Sequence, residues 1–213
     1  DCLLSRGLGD VYKRQDTNTE IKQILDSGNI DILGMTWYFN ENNPLSGFTE
    51  WIDYALQNNP SIKIFVHIPP IDFPADWQQT AEDYGYNNIR DLYGYLVSDL
   101  THKSVIDQLR EIYPSTEIFT LPTGWATFDL VDQYENNLLL DDISLFGSYD
   151  DSIFRDTKGH QGKIVVNTGA LIWLNGLYGV NLRTNDSDTG FNTDLHTIAE
   201  NIMDLHDPDY KQQ

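Results

Sequence analysis

Within "SIFRDTKGHQGKIVVNTGALIWLNGLYG", Asp156 stands four residues before His160, and Gly162 follows two residues on. An imidazole titrates near neutral pH, and a carboxylate beside it biases both its charge and its tautomer. Two readings of the pair stay open. Set on a helix, an i, i+4 pair of this kind is a solvated surface contact worth roughly 0.2–0.5 kcal/mol. Set in a loop directly ahead of the last long helix of an alternating domain, the same two groups favour a functional site.

Other residues offer weaker chemistry. His67 lies near the carboxyl end of the apolar run "SIKIFVHIPP" and either lines a substrate pocket or is a satisfied core histidine. Trp37 and Tyr38 end the run "IDILGMTWYF", where they either stack on a sugar or acyl group or pack. The carboxylates of "YDDSIFRD" suggest Ca²⁺, but the stretch lacks the glycine and closing bidentate Glu of an EF-hand loop. His102, His196 and His206 fall on polar stretches and are expected to be exposed. The Asp-rich runs read as solvated faces.

Helices and strands alternate around these residues. Residues 18–27 read as the end of an amphipathic helix with Ile21, Ile24 and Leu25 inward and Gly28 as its stop. The run 30–38 suits a strand buried on both faces. A helix follows over "FTEWIDYALQNNP", then a strand over "SIKIFVHIPP". Residues 72–95 are polar and aromatic and read as a long excursion or short helices. Beyond them come a helix with Val105, Ile106 and Leu109 inward, a strand in "STEIFTLP", and a short helix in "GWATFDLVDQYEN". The strongest helix starts near Gly162, with Ile164, Val165, Thr168, Leu171, Ile172 and Asn175 along one stripe; "LHTIAENIMDLHD" is a weaker last one. Such alternation implies a parallel sheet covered on both faces, with the site outside the carboxyl ends of its strands.

The block from Asp156 to the helix after Gly162 resembles the last conserved block of the SGNH (GDSL-like) hydrolases. That resemblance implies a three-layer flavodoxin-like α/β fold and a serine ester hydrolase, with acylated carbohydrate as a candidate substrate. It makes His160 the general base and Asp156 the carboxylate that orients it, with no cofactor; Trp37, Tyr38 and His67 are candidate substrate contacts by their positions at strand ends. The chain departs from the pattern in two places. Its spacing "DTKGH" holds one residue more than Asp-x-x-His, and "GMTWYFNENN" offers Asn40, Asn42 and Asn43 without the Gly-x-Asn-Asp of the oxyanion-hole block. Two other classes stay open: a non-catalytic glycan-binding or interaction domain on the same scaffold, and a metal-dependent hydrolase using His67, His160 and acidic neighbours.

The family's Gly-Asp-Ser block would precede the helix at 18–27, where the chain instead has "DCLLSRGLGDVYKRQ". Those residues have no strand or helix period and no apolar core of a signal peptide. Read back into codons, Ser5 to Gln15 resemble a transposase-type sequencing adaptor. Residues 1–15 are therefore expected to be foreign, the first strand and the nucleophile missing, and Ser5 no substitute. The native part is expected to be one domain over 16–206 with a polar tail at 207–213, and a secretion signal, if any, to lie upstream of Asp16.

Setting the leader aside removes the one cysteine, Cys2, and takes the formal charge from −20 to about −21. With no cysteine left, disulfides and thiolate metal sites are excluded from the remainder. So acidic a surface repels phosphate backbones, which argues against nucleic acid as a partner. No apolar run nears the ~18 residues of a membrane span, so no membrane partner is expected either. Aromatic residues at 12% support a packed core rather than disorder.

Overall fold

The computed structural model describes residues 19–39 and 45–213. The leader with Cys2 and Ser5 lies outside the described residues, as do Asn40, Asn42 and Asn43. The protein is α/β, and its chain divides into two compact units. The first comprises Asp1–Ile68, Ser98–Thr120 and Gln212–Gln213; the second comprises Pro69–Val97 and Leu121–Lys211.

In the first unit, α1 (Thr19–Asp26) leads to β1 (Ile32–Thr36), α2 (Ser46–Asn58) and β2 (Lys63–His67). Strands β1 and β2 pair in parallel from Ile32 against Lys63 to Thr36 against His67. With β3 (Ile118–Leu121) they form a sheet of order β1-β2-β3. Burial follows that order. The middle strand buries Ile64, Phe65 and Val66, whereas β1 is only half-buried and Gly34 is exposed. The expectation that β1 is buried on both faces is thus corrected: β1 pairs only with β2 in the described sheet, and its residues are half-buried or exposed. Tyr54 on α2 donates to the Asp26 carboxylate at 2.5 Å, joining the two helices.

Residues 98–114, expected as one regular helix, instead fall across a π-helical segment (Leu96–Ile106) and α5 (Asp107–Ile112), with Tyr113 and Pro114 beyond its end. In the wider turn Thr101 and His102 point inward, and His102 Nε2 lies 3.1 Å from Thr120 Oγ1. His102 and His206 are 3% and 5% exposed, so both are buried, contrary to the polarity of their surroundings. His196 is half-buried, with Nε2 3.0 Å from Asn185 Oδ1.

The second unit holds α3 (Trp77–Asp83), α4 (Ile89–Tyr95), α6 (Gly124–Glu135), α7 (Lys163–Tyr178) and α8 (Leu195–Leu205). Two three-residue parallel strands, β4 (Ser144–Phe146) and β5 (Ser152–Phe154), were not expected from the sequence. An aromatic cluster centres this unit. Trp77 lies 4.6 Å from Phe128 and 5.7 Å from Phe154, ring centre to ring centre, and Tyr93 lies 4.6 Å from Trp125 and 4.7 Å from Phe128. Edge and tilted arrangements of this kind add about 0.5–1.5 kcal/mol per pair beyond burial. Arg90 braces the cluster from outside: its guanidinium stacks on Trp125 and binds Asp129 and Asp132, each at 2.8 Å.

The segment after α7 is tied down by Asp141, whose carboxylate accepts the backbone N–H groups of Asn192 and Thr193 and the Thr193 hydroxyl. Burial works against its charge, but these bonds outweigh it and hold the carboxyl below its usual range. The C-terminal residues, read as a polar tail, form a short 3₁₀ turn (Pro208–Tyr210) capped by Asp207. No helix among the described residues is long and apolar enough to cross a membrane.

Candidate active site

The Asp156–His160 pair sits in a loop, not on a helix. Strand β5 ends at Phe154, which forms an antiparallel bridge with Gln161. Two backbone bonds close the turn: Arg155 N–H donates to His160 O and Gly162 N–H to Ile153 O, both at 2.7 Å. Helix α7 then starts at Lys163. A one-residue bridge so close to β5 demands a glycine, because a Cβ on Gly162 would overlap the Ser152 carbonyl.

The carboxylate of Asp156 organises this turn. Its Oδ1 accepts the backbone N–H groups of Lys158, Gly159 and His160 at 3.1–3.2 Å. Its Oδ2 lies 2.5 Å from His160 Nδ1. The His160 bond is the largest cause that holds the Asp156 carboxyl below its ordinary value; desolvation opposes it, and the backbone N–H groups of His160 and Gly159 add to it. An ionised Asp156 can only accept, so Nδ1 carries a proton; in the neutral ring this leaves Nε2 with the lone pair. No hydrogen bond occupies Nε2 among the described residues, and the imidazole is 40% exposed. Within the turn Gly159 has a φ of +101°, a conformation that side-chain-bearing residues rarely adopt.

The segment that follows β2 docks on this loop. Phe73 N–H donates to Lys158 O at 2.8 Å, and Pro74 Cδ comes within 3.0 Å of where a Cβ on Gly159 would sit. Trp77 anchors the segment from below, its indole N–H donating to Ile71 O at 3.0 Å while its ring joins the aromatic cluster. Asp72 is half-buried here. Burial is the main cause that raises its carboxyl, Lys158 and His160 pull it back, and Asp156 adds to the rise. Asp72 and Phe73 were not singled out from the sequence, although "HIPPIDFP" lies just after a strand. The available signal was an Asp–aromatic pair between prolines, in a place where loops carry sites.

The remaining candidates lie in the first unit. His67 is half-buried with Nδ1 3.4 Å from Thr36 Oγ1, its partner in the β1–β2 register. Desolvation pushes its imidazole down to about 4, so it is neutral at physiological pH. Trp37 is 2% exposed and packs on Phe48 at 5.8 Å, which leaves no open face for stacking. Its buried indole N–H has no hydrogen-bond partner among the described residues. Tyr38 is 51% exposed. The carboxylates suggested for Ca²⁺ are otherwise engaged: Asp151 accepts from the Ser148 N–H and hydroxyl, and Asp150 faces Lys163 at 3.4 Å. Among the described residues no group of three or more His, Cys, Asp or Glu side chains could hold a metal ion.

No protein-family model, curated protein or solved structure matches the chain.

Proposed function

We propose that Asp156 and His160 are the orienting carboxylate and general base of an SGNH-type serine ester hydrolase acting on acylated carbohydrate. Its scaffold is a three-layer flavodoxin-like domain, and its nucleophile block lies upstream of the described residues. The observation that carries this reading is the double use of the Asp156 carboxylate: one oxygen is held by three backbone N–H groups, the other by His160 Nδ1. A surface ion pair has no need of so fixed a carboxylate. A general base does, because proton transfer depends on ring orientation and tautomer.

The chemistry follows from that arrangement. Nε2 takes the proton of a serine hydroxyl as its oxygen attacks the ester carbonyl. The ring becomes an imidazolium, stabilised by Asp156 across Nδ1–H. Nε2 then gives the proton to the departing alcohol, leaving the serine acylated; water attacks that acyl group with Nε2 again taking a proton, and the proton returns to the serine oxygen as the carboxylic acid leaves. General-base assistance of this kind contributes roughly 10²–10⁴-fold.

Two measurements test the reading. The chain as it stands should hydrolyse p-nitrophenyl acetate no faster than its His160→Ala variant. The same chain carrying its genomic upstream residues in place of 1–15 should contain a strand followed by Gly-Asp-Ser or a close variant. It should then turn the ester over and lose at least ~10²-fold in rate on His160→Ala. A different upstream segment, or a restored rate that ignores His160, defeats the proposal. The glycan-binding alternative keeps one supporting observation, the exposed rings of Tyr38 and Phe73, and predicts sugar binding without turnover in the restored chain.

A further inference from the structure

Phe73 breaks two backbone preferences at once. Its φ of +57° and ψ of +62° are left-handed, a genuine outlier for a bulky residue, and it precedes Pro74, which normally holds its neighbour extended. The residue is also 50% exposed, so half of its surface is open to solvent. The conformation is kept by the contact with the His160 loop, through Phe73 N–H to Lys158 O and Pro74 against Gly159. Strained, exposed residues that persist only because their surroundings over-determine them concentrate at ligand sites. The neighbour on the other side is Asp72, a half-buried carboxylate that accepts hydrogen bonds.

We propose that Phe73 is a specificity-determining residue of the Asp156–His160 site, its exposed ring serving as a stacking face for the pyranose of an acylated sugar while Asp72 accepts that sugar's hydroxyl protons. This rests on the hydrolase reading for the place where substrate binds. An aromatic face beside a carboxylate suits a pyranose, which has an apolar C–H face and a polar rim. A plain alkyl ester would use the ring and leave the half-buried carboxylate without a partner, which is unfavourable.

The test uses the full chain, its Phe73→Gly and Phe73→Asn variants and His160→Ala. Melting is followed by circular dichroism, and binding of methyl 6-O-acetyl-β-D-glucopyranoside and of n-butyl acetate by saturation-transfer NMR. Gly and Asn both tolerate the left-handed region, so Tm should hold or rise by about 2–4 °C. Binding of the sugar ester should weaken about five-fold or more in both variants, the loss expected for an aromatic contact. His160→Ala should keep the sugar signal, and n-butyl acetate should bind more weakly than the sugar ester throughout. A lower Tm in both variants would mean that the ring is packing and would overturn the proposal. Unchanged sugar binding, or no binding by the parent chain, would overturn it as well. Failure of the hydrolase reading shows separately, as absence of turnover in the upstream-restored chain while the Phe73 variants still lose the sugar.

Discussion

His67 and His160 occupy opposite kinds of place in this molecule. His67 ends β2, where an open parallel sheet leads one to look for a site, yet its Nδ1 lies 3.4 Å from a threonine hydroxyl and desolvation keeps the ring neutral. His160 lies in a turn closed by a single antiparallel bridge, and it is held by a carboxylate that is itself held by three amides. Position at a strand end is therefore a poor guide to chemistry here. What separates the two rings is a charged, pre-oriented partner, which both fixes a tautomer and stabilises an imidazolium.

The sharpest way to break the His160 side of this contrast is Gly162→Ala. Its Cβ would run into the Ser152 backbone, which cannot yield without opening the bridge that closes the turn. Overpacking against backbone costs about 3 kcal/mol or more, and in a chain of this size that lowers Tm by roughly 6–12 °C. Thermal unfolding followed by circular dichroism reads it directly. A loss below about 1 °C would mean that the turn has slack.

The His67 side is tested by pH. Its folded value near 4 lies below the ordinary 6.5, so below pH 6.5 the unfolded chain binds a proton that the folded chain refuses. Stability contributed by the neutral ring is thus whole above pH 6.5 and is lost as pH falls toward 4. The loss is at most about 3 kcal/mol, and less to the extent that solvent reaches the half-buried ring. Urea unfolding at pH 7 and pH 4.5 should show it, and His67→Asn should remove that part of the slope. An unchanged slope would place the ring in contact with water and weaken the contrast.

Much of the scaffold was readable because its signals are periodic. The stripe Ile164, Val165, Thr168, Leu171 and Ile172 is buried along α7 as its spacing requires. The apolar runs at 63–67 and 118–121 are strands for a different reason: short continuous apolar runs suit strands buried on both faces. Strands β4 and β5 escaped because three residues are too few for a period of two to register, and β4 is mostly exposed. His102 escaped because a window of polar neighbours says nothing about a π-helical turn that rotates it inward. In the candidate site, Asp156 and His160 were legible as a spaced pair. Asp72 and Phe73 were not, since they reach the pair through tertiary docking some 80 residues away in sequence. The shape of the turn in "DTKGH" also depends on the positive φ of Gly159, which no spacing rule encodes.

The finest test of the contrast is Asp156→Asn. An amide can still accept bonds from the turn, but it no longer carries the charge that binds His160 and the three amides most strongly. Hydrogen bonds to charged groups exceed neutral ones by about 1 kcal/mol, so amide exchange at Lys158, Gly159 and His160 should quicken by roughly five- to ten-fold with little change in global Tm. The pH dependence has a definite sign. Because the folded Asp156 value lies below its ordinary 3.8, its stabilisation is complete above about pH 4 and disappears as pH falls through the folded value. Protection of those three amides in the parent chain should hold steady from pH 7 to about 4 and then drop, whereas in Asp156→Asn it should be low and flat throughout. Equal protection in parent and variant would show that the backbone bridge alone shapes the turn. Asp156 would then be ordinary surface charge, and His160 would stand no closer to catalysis than His67.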